Sequence, residues 1–407
     1  MKILQINTVC GTGSTGRIAT DLYKIYEEAG HECVIAYGRG NAPDGYKTIK
    51  IGSDVDTYLH IAKTRILDKH GFGSKRVTEK FIEEVKKFNP DIIHLHNIHG
   101  YYINIEILFK YLKESNKKII WTLHDCWTFT GHCAYFDYAK CEKWKIGCEK
   151  CPQKKVYPAT KMFDNSSWNY EKKKELFVGI KDMTIVTPSE WLANLVKESF
   201  LGEYKIKVIN NGIDTKIFKP TISNFREEYN IGNKKIILGV ASIWEERKGY
   251  KYFEELAKKL DTNKYQIVLV GKMNKNQIKS IPKEIILIKQ TNNAKELAQI
   301  YTVADIFFNP TLEDNYPTVN LESLACGTPI ITFNSGGSPE VIVDNYLGRV
   351  IEKDDISIIR KEINLFLDIH KGKTDDVKLK IKAYAKSFNK GFKFKEYLEI
   401  LLENKNE

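Results

Sequence analysis

The sequence predicts an α/β protein made of two doubly wound parallel-sheet domains. Three observations carry this expectation. Short, near-continuous runs of Val, Ile and Leu alternate with stretches of helical periodicity, the pattern of strands buried on both faces. The alternation runs its course and starts again near residue 212, so there are two such series. The length of 407 residues suits two domains, each large enough to fold around its own core.

The first series reads as strands at KILQIN, ECVIAYG, DIIHLH, KIIWTLH, MTIVTP and KIKVIN. Helices at RIATDLYKIYEEAG, EKFIEEVKKF and IEILFKYLKES lie between them, with apolar residues three and four apart. The second series gives strands at KKIILGVAS, YQIVLVG, EIILIKQ, DIFFNP and TPIITF, and helices at GYKYFEELAKKL and AKELAQIYTVA. The turn formers Asn211-Gly212-Ile213-Asp214 and the polar stretch through Pro220 mark the join. An N-terminal domain is therefore expected over 1–212, with a cysteine-rich insertion at 126–158, and a C-terminal domain over 213–390. The last helix, within 391–407, has few partners left in the second domain and is expected to return toward the first. Two Rossmann-like domains facing each other leave an interdomain cleft at the carboxyl ends of their strands, where such sheets bind ligands.

Composition narrows the class. Hydrophobic residues at 42% and charged residues at 28% exclude collagen-like, coiled-coil and largely disordered chains. No apolar run approaches the roughly 18 residues of a membrane span, and the opening MKILQINTVCG reads as a first strand rather than a signal peptide. A cytoplasmic location is expected. The net charge of +11 comes from lysine, since only eight arginines are present. Two readings stand: lysines spread over solvated faces, or a basic face on the N-terminal half that meets an anionic membrane or acidic partner. The scarcity of arginine and the lack of a basic block argue against nucleic acid.

The stretch from Asn309 to Pro329 carries the most chemistry. A strand ends at Asn309-Pro310, a polar loop follows, and Pro317 suits the first turn of a helix. The backbone N–H groups of Tyr316, Thr318 and Val319 would then offer a phosphate site at the positive end of the helix dipole. Glu322, one turn in, can accept hydrogen bonds from vicinal hydroxyls. Arg247-Lys248-Gly249 follows the first strand of the second series. A fixed cation there would stabilise a departing diphosphate without a metal, and Arg247 adds bidentate capacity. Gly16, with Thr15, lies in a glycine-bearing turn after the first strand, where backbone can approach a pyrophosphate. His124-Asp125 ends another strand, and His94, His96 and His99 surround the end of the one before it. Asp54-Val55-Asp56 has the letters of a metal-binding DxD, but it follows Ser53 at a predicted helix start and reads as a cap.

Five of the eight cysteines fall between Cys126 and Cys151. Cys148-x2-Cys151 is a compact half-site for tetrahedral zinc, with Cys133 and Cys141 as the wider half. Structural zinc, an iron–sulfur cluster and unliganded thiols all remain open. Lysines interleave with Tyr135, Phe136, Tyr138, Trp144 and Tyr157 here, which makes the insertion a candidate surface for a lipid-linked or anionic acceptor.

Taken in order, these motifs resemble those of retaining GT-B glycosyltransferases of the family 4 type, in particular enzymes of bacterial surface-polysaccharide assembly. In that family two Glu flank seven residues and Ala-x-Gly-x-Pro follows; Glu322 and Ala325-Cys-Gly-Thr-Pro329 match, and Asp314 stands at the spacing of the first acid, with Glu313 one residue early. Lys248 matches the phosphate-binding lysine, Asn211–Asp214 the interdomain link, and Ser335-Gly336-Gly337-Ser338-Pro339-Glu340 a Gly-Gly-x-Pro-Glu turn. Thr122–Asp125 matches the strand-end histidine motif and Gly13–Gly16 the N-terminal glycine loop. The usual Arg before the lysine is replaced, and Ser242 stands at its place, which leaves phosphate neutralisation to Arg247 and Lys248.

The resemblance implies a metal-independent hexosyltransferase with no catalytic cofactor. It would use a UDP- or GDP-sugar as donor and a saccharide hydroxyl, lipid-linked at the inner membrane face, as acceptor. His124, Lys248 and Asp314 would be catalytic. Thr15, Gly16, Arg247, Glu313, Tyr316, Thr318, Val319 and Glu322 would join them in donor binding, and His96 and Asp125 would lie on the acceptor side. A nucleotide-sugar 2-epimerase on the same fold and a degenerate nucleotide-binding scaffold are the alternatives.

Overall fold

A computed structural model describes residues 1–353, 355–369 and 374–403. The chain forms two compact units: residues 1–210 with 394–403, and residues 211–393.

The first unit holds a seven-stranded parallel sheet of β1 (Lys2–Val9), β2 (Glu32–Arg39), β3 (Thr48–Lys50), β4 (Ile92–Leu95), β5 (Lys118–Thr122), β6 (Met183–Thr187) and β7 (Lys205–Val208). Its order is β3-β2-β1-β4-β5-β6-β7, so the winding reverses between β1 and β4. Crevices open beyond the carboxyl ends of the strands at such a switch point. The central strands are buried along their whole length, as at β4 and β6, which is why they read as unbroken apolar runs. One face packs Phe109, Trp121, Trp127 and Phe177 into a shared core. The other receives the helix Gly13–Glu28 and the C-terminal helix Glu396–Leu402, whose Tyr397, Ile400 and Leu401 are buried with Ile120 and Val186. Each such side chain contributes about 1.5–3 kcal/mol by burial.

The second unit holds a six-stranded parallel sheet of β8 (Lys235–Ile243), β9 (Tyr265–Lys272), β10 (Ile285–Ile288), β11 (Ile306–Asn309), β12 (Ile330–Phe333) and β13 (Gly348–Ile351), in the order β10-β9-β8-β11-β12-β13. The switch point lies between β8 and β11. Gly239 in β8 is required by close packing, because a Cβ there would stand 2.5 Å from Phe253 Cζ and 2.8 Å from Leu269 Cδ2. The link residue Gly212 is pinned in the same way, 2.5 Å from Lys390 Cα. Ile213 N–H donates to Phe388 O at 2.8 Å alongside it.

All eleven predicted strands form. Two further strands form, β3 and β13, each at one edge of its sheet; they have no continuous apolar run, and their burial is partial or mixed. Ser53 caps the helix Asp54–Leu67, and the Asp56 carboxylate returns the bond to the Ser53 N–H at 2.9 Å. The segment 130–165 contains no regular structure beyond one 3-10 turn, Lys143–Lys145. Among the described residues no helix is long and apolar enough to cross a membrane.

Candidate active site

In the second unit, three loops at the carboxyl ends of β8, β11 and β12 converge. Lys248 ends a 3-10 turn, Glu246–Lys248, and Gly249 follows at φ 74°. A Cβ on Gly249 would lie 2.1 Å from Pro310 O, so only glycine lets the β8 loop rest on the β11 loop. The two loops are stitched by backbone: Leu312 N–H donates to Arg247 O at 2.7 Å, and Arg247 Nη1 donates to Glu313 O at 3.3 Å. The β12 loop closes from the other side. Gly336 sits at φ 56° with its missing Cβ 1.9 Å from Asp314 O, and Gly337 N–H donates to that same oxygen at 3.2 Å.

This framework brings Lys248 Nζ into an ion pair with the Asp314 carboxylate. Burial pushes the Asp314 carboxyl up, but Lys248 and then Arg247 hold it below the usual carboxylate range. A lysine and a carboxylate thus stand charged against each other at the switch point. The carboxylate two turns of sequence further, Glu322, is 8% exposed and accepts from Tyr301 Oη at 3.3 Å. Tyr316 is buried, and its carbonyl is held by Asn211 Nδ2 at 3.1 Å, so the link residue fixes the start of the helix Thr318–Ala325. No side chain caps that helix; Thr318 and Val319 are half-buried in its first turn. Under the loop, Asn320 Nδ2 donates to Ser338 O and Oγ, each at 3.1 Å, and its Oδ1 accepts from Asn309 at 2.8 Å. Glu313 is buried beside Asp314. Ser242 is exposed near the end of β8, and Arg247 is the second cation acting on Asp314.

In the first unit the switch point gathers Gly16, Thr15, His96 and His124. Gly13–Gly16 was expected as a loop, but these residues form the first turn of a helix, and the loop proper is Cys10–Thr12. Gly16 lets that helix lie on β1, since a Cβ would stand 3.0 Å from Val9 Cγ2 and 3.2 Å from Gly11 N. Thr15 Oγ1 accepts from Asn7 Nδ2 at 3.3 Å, and Asn7 Oδ1 accepts from Asn97 N–H at 3.2 Å, joining the β1 and β4 ends.

His96 was expected to meet acceptor. It is 1% exposed, and its two ring nitrogens are engaged by His124 and Gln5. Gln5 Nε2 donates to Ala19 O at 3.0 Å, which leaves Gln5 Oε1 to accept from His96 Nε2 at 3.1 Å. His96 Nδ1 is then an acceptor, and His124 Nε2, 3.3 Å away, is the donor. Burial pushes His124 down to about 4, and neighbouring Asp125 only partly opposes this, so the ring is neutral at pH 7. Asp125 lies 3.0 Å from His99 Nε2 and accepts from Trp127 N–H at 2.9 Å, so it anchors the turn after β5. Gln5 and Asn7 escaped the sequence reading. Their signal was polar side chains, both wholly buried, in the apolar strand KILQIN.

Cys133, Cys141, Cys148 and Cys151 line one cavity of about 10 Å³, and no disulfide joins any cysteine. Among the described residues, no three His, Cys, Asp or Glu side chains stand in place to hold a metal ion.

Two families match the chain: Glycosyltransferase Family 4 over residues 15–217 and Glycosyl transferases group 1 over residues 221–387. The chain is 26% identical to the putative colanic acid biosynthesis glycosyl transferase WcaC of Escherichia coli over 378 residues, 88% of this chain and 90% of that protein. Its fold is similar to sucrose-phosphate synthase of Thermosynechococcus elongatus, with a TM-score of 0.73 at 15% identity over 98% of both chains. It is similar too to Anabaena Alr3699/HepE in complex with UDP-glucose, with a TM-score of 0.68 at 14% identity over 98% of this chain and 99% of that one. With both families lying end to end along it, and with its two sheets wound as in GT-B enzymes, the chain belongs to the family 4-type glycosyltransferases.

Proposed function

We propose that the protein is a retaining, metal-independent hexosyltransferase. It moves a hexose from a UDP- or GDP-sugar to a hydroxyl of a growing, lipid-linked saccharide in bacterial surface-polysaccharide assembly. The observation that carries this reading is the Lys248–Asp314 pair held at the switch point by loops that tolerate only glycine at 249 and 336. A sugar leaves its nucleotide as a diphosphate that gains negative charge. Lys248 supplies the fixed counter-charge, with Arg247 as the second cation in place of the arginine missing at Ser242, and the uncapped helix Thr318–Ala325 offers backbone N–H groups. Asp314 orients the ammonium and, with Glu322, serves sugar or ribose hydroxyls. Neutral His124 serves the transferring sugar, where a positive ring would oppose an oxocarbenium-like transition state.

The relatives support the reading in kind. WcaC is named for polysaccharide synthesis, and the HepE structure contains UDP-glucose. In the proposed path the leaving phosphate oxygen takes the acceptor proton on the same face of the sugar, so no protein carboxylate acts as nucleophile.

Thermal unfolding with UDP, GDP and their sugars identifies the donor; a ligand at about 100 times its Kd stabilises by about 2.7 kcal/mol. Transfer from that donor is then measured with Lys248→Ala, which is expected to lower kcat by about 10²–10³-fold with the circular dichroism spectrum unchanged. Undiminished turnover in this variant refutes the assignment.

A further inference from the structure

The segment 130–165 follows directly on the His124–Asp125 strand end. It runs for 36 residues with one 3-10 turn, yet it buries Phe136 and Trp144. A loop of this length inside a compact unit needs something besides backbone ladders to hold it. Four of its side chains are the cysteines around one cavity of about 10 Å³, which is room for a single small atom or ion.

Three further features of the cavity point to what fills it. Cys133 and Cys151 are hydrogen-bonded to each other, and Cys148 lies in the field of Cys151 and Cys141, though the sulfurs are not drawn together as they would be around an ion. Gly131 N–H donates to Cys148 Sγ at 3.2 Å, and Gln153 N–H donates to Cys151, the bonds that satisfy thiolate sulfur. Second, His132 lines the same cavity at 2% exposure. Its Nδ1 is 2.5 Å from Asp68 Oδ1, and its buried Nε2 has no partner. A buried ring nitrogen left without a partner beside the cavity points to a group that the protein side chains do not supply. Third, Lys173 is 1% exposed and forms no ion pair among the described residues. Its Nζ donates to Trp127 O at 2.7 Å and Thr130 O at 3.0 Å and stands 3.4 Å from the centre of the Trp127 ring. Burial pushes this lysine down to about 7, and Cys148 and then Cys133 beside it are the first groups that favour its charged form.

We propose that the cavity is a structural zinc site, with Cys133, Cys141, Cys148 and Cys151 as four thiolate ligands. Binding Zn²⁺ releases the four thiol protons and leaves a centre of charge −2, which Lys173 offsets from beside the cluster. Tetrahedral Zn–S bonds of about 2.3 Å would set the sulfurs about 3.8 Å apart, so the four thiols, which do not stand in metal-holding positions as described, must draw together around the ion. The site is closed and leaves no open position for chemistry. Its work is to fix the segment that Trp127 and Asp125 tie to His124. This proposal is independent of the transfer reaction and stands or falls without it.

The test is the metal content of the full-length protein purified without chelator, by inductively coupled plasma mass spectrometry. One zinc per chain is expected, retained in Cys326→Ala and lost in Cys148→Ser and Cys141→Ser. On the wild-type protein, a mercurial thiol reagent should release that zinc as four thiols react, a readout that does not depend on any variant folding. Iron with visible charge-transfer absorption overturns the proposal. So does metal-free protein, whether its thiols react freely or have paired as disulfides. Zinc lost from His132→Gln but kept in Cys141→Ser overturns the four-thiolate set.

Discussion

Gly249→Ala probes whether the loop contact, rather than the mere presence of Lys248, makes the site. The substitution adds one methyl group. At φ 74° it holds an L-residue in the left-handed region, which costs about 1–2 kcal/mol. Its Cβ would also stand 2.1 Å from Pro310 O, against the 3.0 Å below which real contacts essentially never fall, so the β8 and β11 loops must part by about 0.9 Å. Pro310 is backbone-fixed and cannot turn aside, and the Leu312–Arg247 hydrogen bond lies in the path of the movement. A displacement of about 1 Å in a charge-stabilising group costs on the order of 10²-fold in rate. The assay is kcat/KM for donor consumption, paired with urea unfolding. Gly30→Ala is the control: it carries the same positive φ, 82°, with nothing within 4 Å of the added methyl. Gly30→Ala is expected to lose about 1–2 kcal/mol of stability and no activity. Gly249→Ala is expected to lose similar stability and about 10²-fold in kcat/KM. Activity within twofold of wild type in Gly249→Ala refutes the claim that loop contact sets the position of Lys248.

Acid should weaken the first unit through its histidines. Burial pushes His94 down to about 3 and His124 to about 4, from an ordinary value near 6.5. Between pH 6.5 and 4 the unfolded chain therefore binds the extra protons, and stability falls as pH falls, by about 1.4 kcal/mol per pH unit for each proton. His94→Gln should make the urea midpoint less steep across that window; an unchanged slope contradicts the buried neutral assignment. Gln5→Leu leaves the His96 Nε2–H without its acceptor, which is expected to cost about 1–3 kcal/mol of stability and to lower kcat with little effect on nucleotide affinity. A normal kcat in a folded Gln5→Leu protein would show that the Gln5–His96–His124 chain does not orient His124.

Much of the fold was legible because parallel strands buried on both faces leave an unambiguous local mark. DIIHLH, KIIWTLH and YQIVLVG could hardly be anything else, and each formed a strand. β3 and β13 were not legible: Thr-Ile-Lys is only three partly exposed residues, and Gly-Arg-Val-Ile breaks any apolar run, whereas the equally short edge strand β10 carries Ile-Ile-Leu-Ile. Of the site, Lys248, Asp314 and Glu322 could be found from residue type and spacing. Gln5 and Asn7 were visible as polar letters in an apolar strand, but their partners were not. Only the first turn of the helix, Gly13–Gly16, was read as loop, because the stretch resembles the family's N-terminal glycine loop. Here the need for close contact with Val9 and Gly11 overrides propensity at Gly16.

By itself the sequence determined the class of the sheets, their number, and which residues stand at the carboxyl ends of their strands. These follow from unbroken apolar runs, from a helical period of 3.6 residues and from short motifs, which are local properties. Only the tertiary structure decided that Lys248 meets Asp314 across 66 residues, that His96 is enclosed between Gln5 and His124, and that four cysteines gather around one cavity. Each of these depends on which strand lies beside which and on where a missing Cβ lets two backbones touch. Contacts of that kind are made by the packed chain and are not encoded in any one stretch of it.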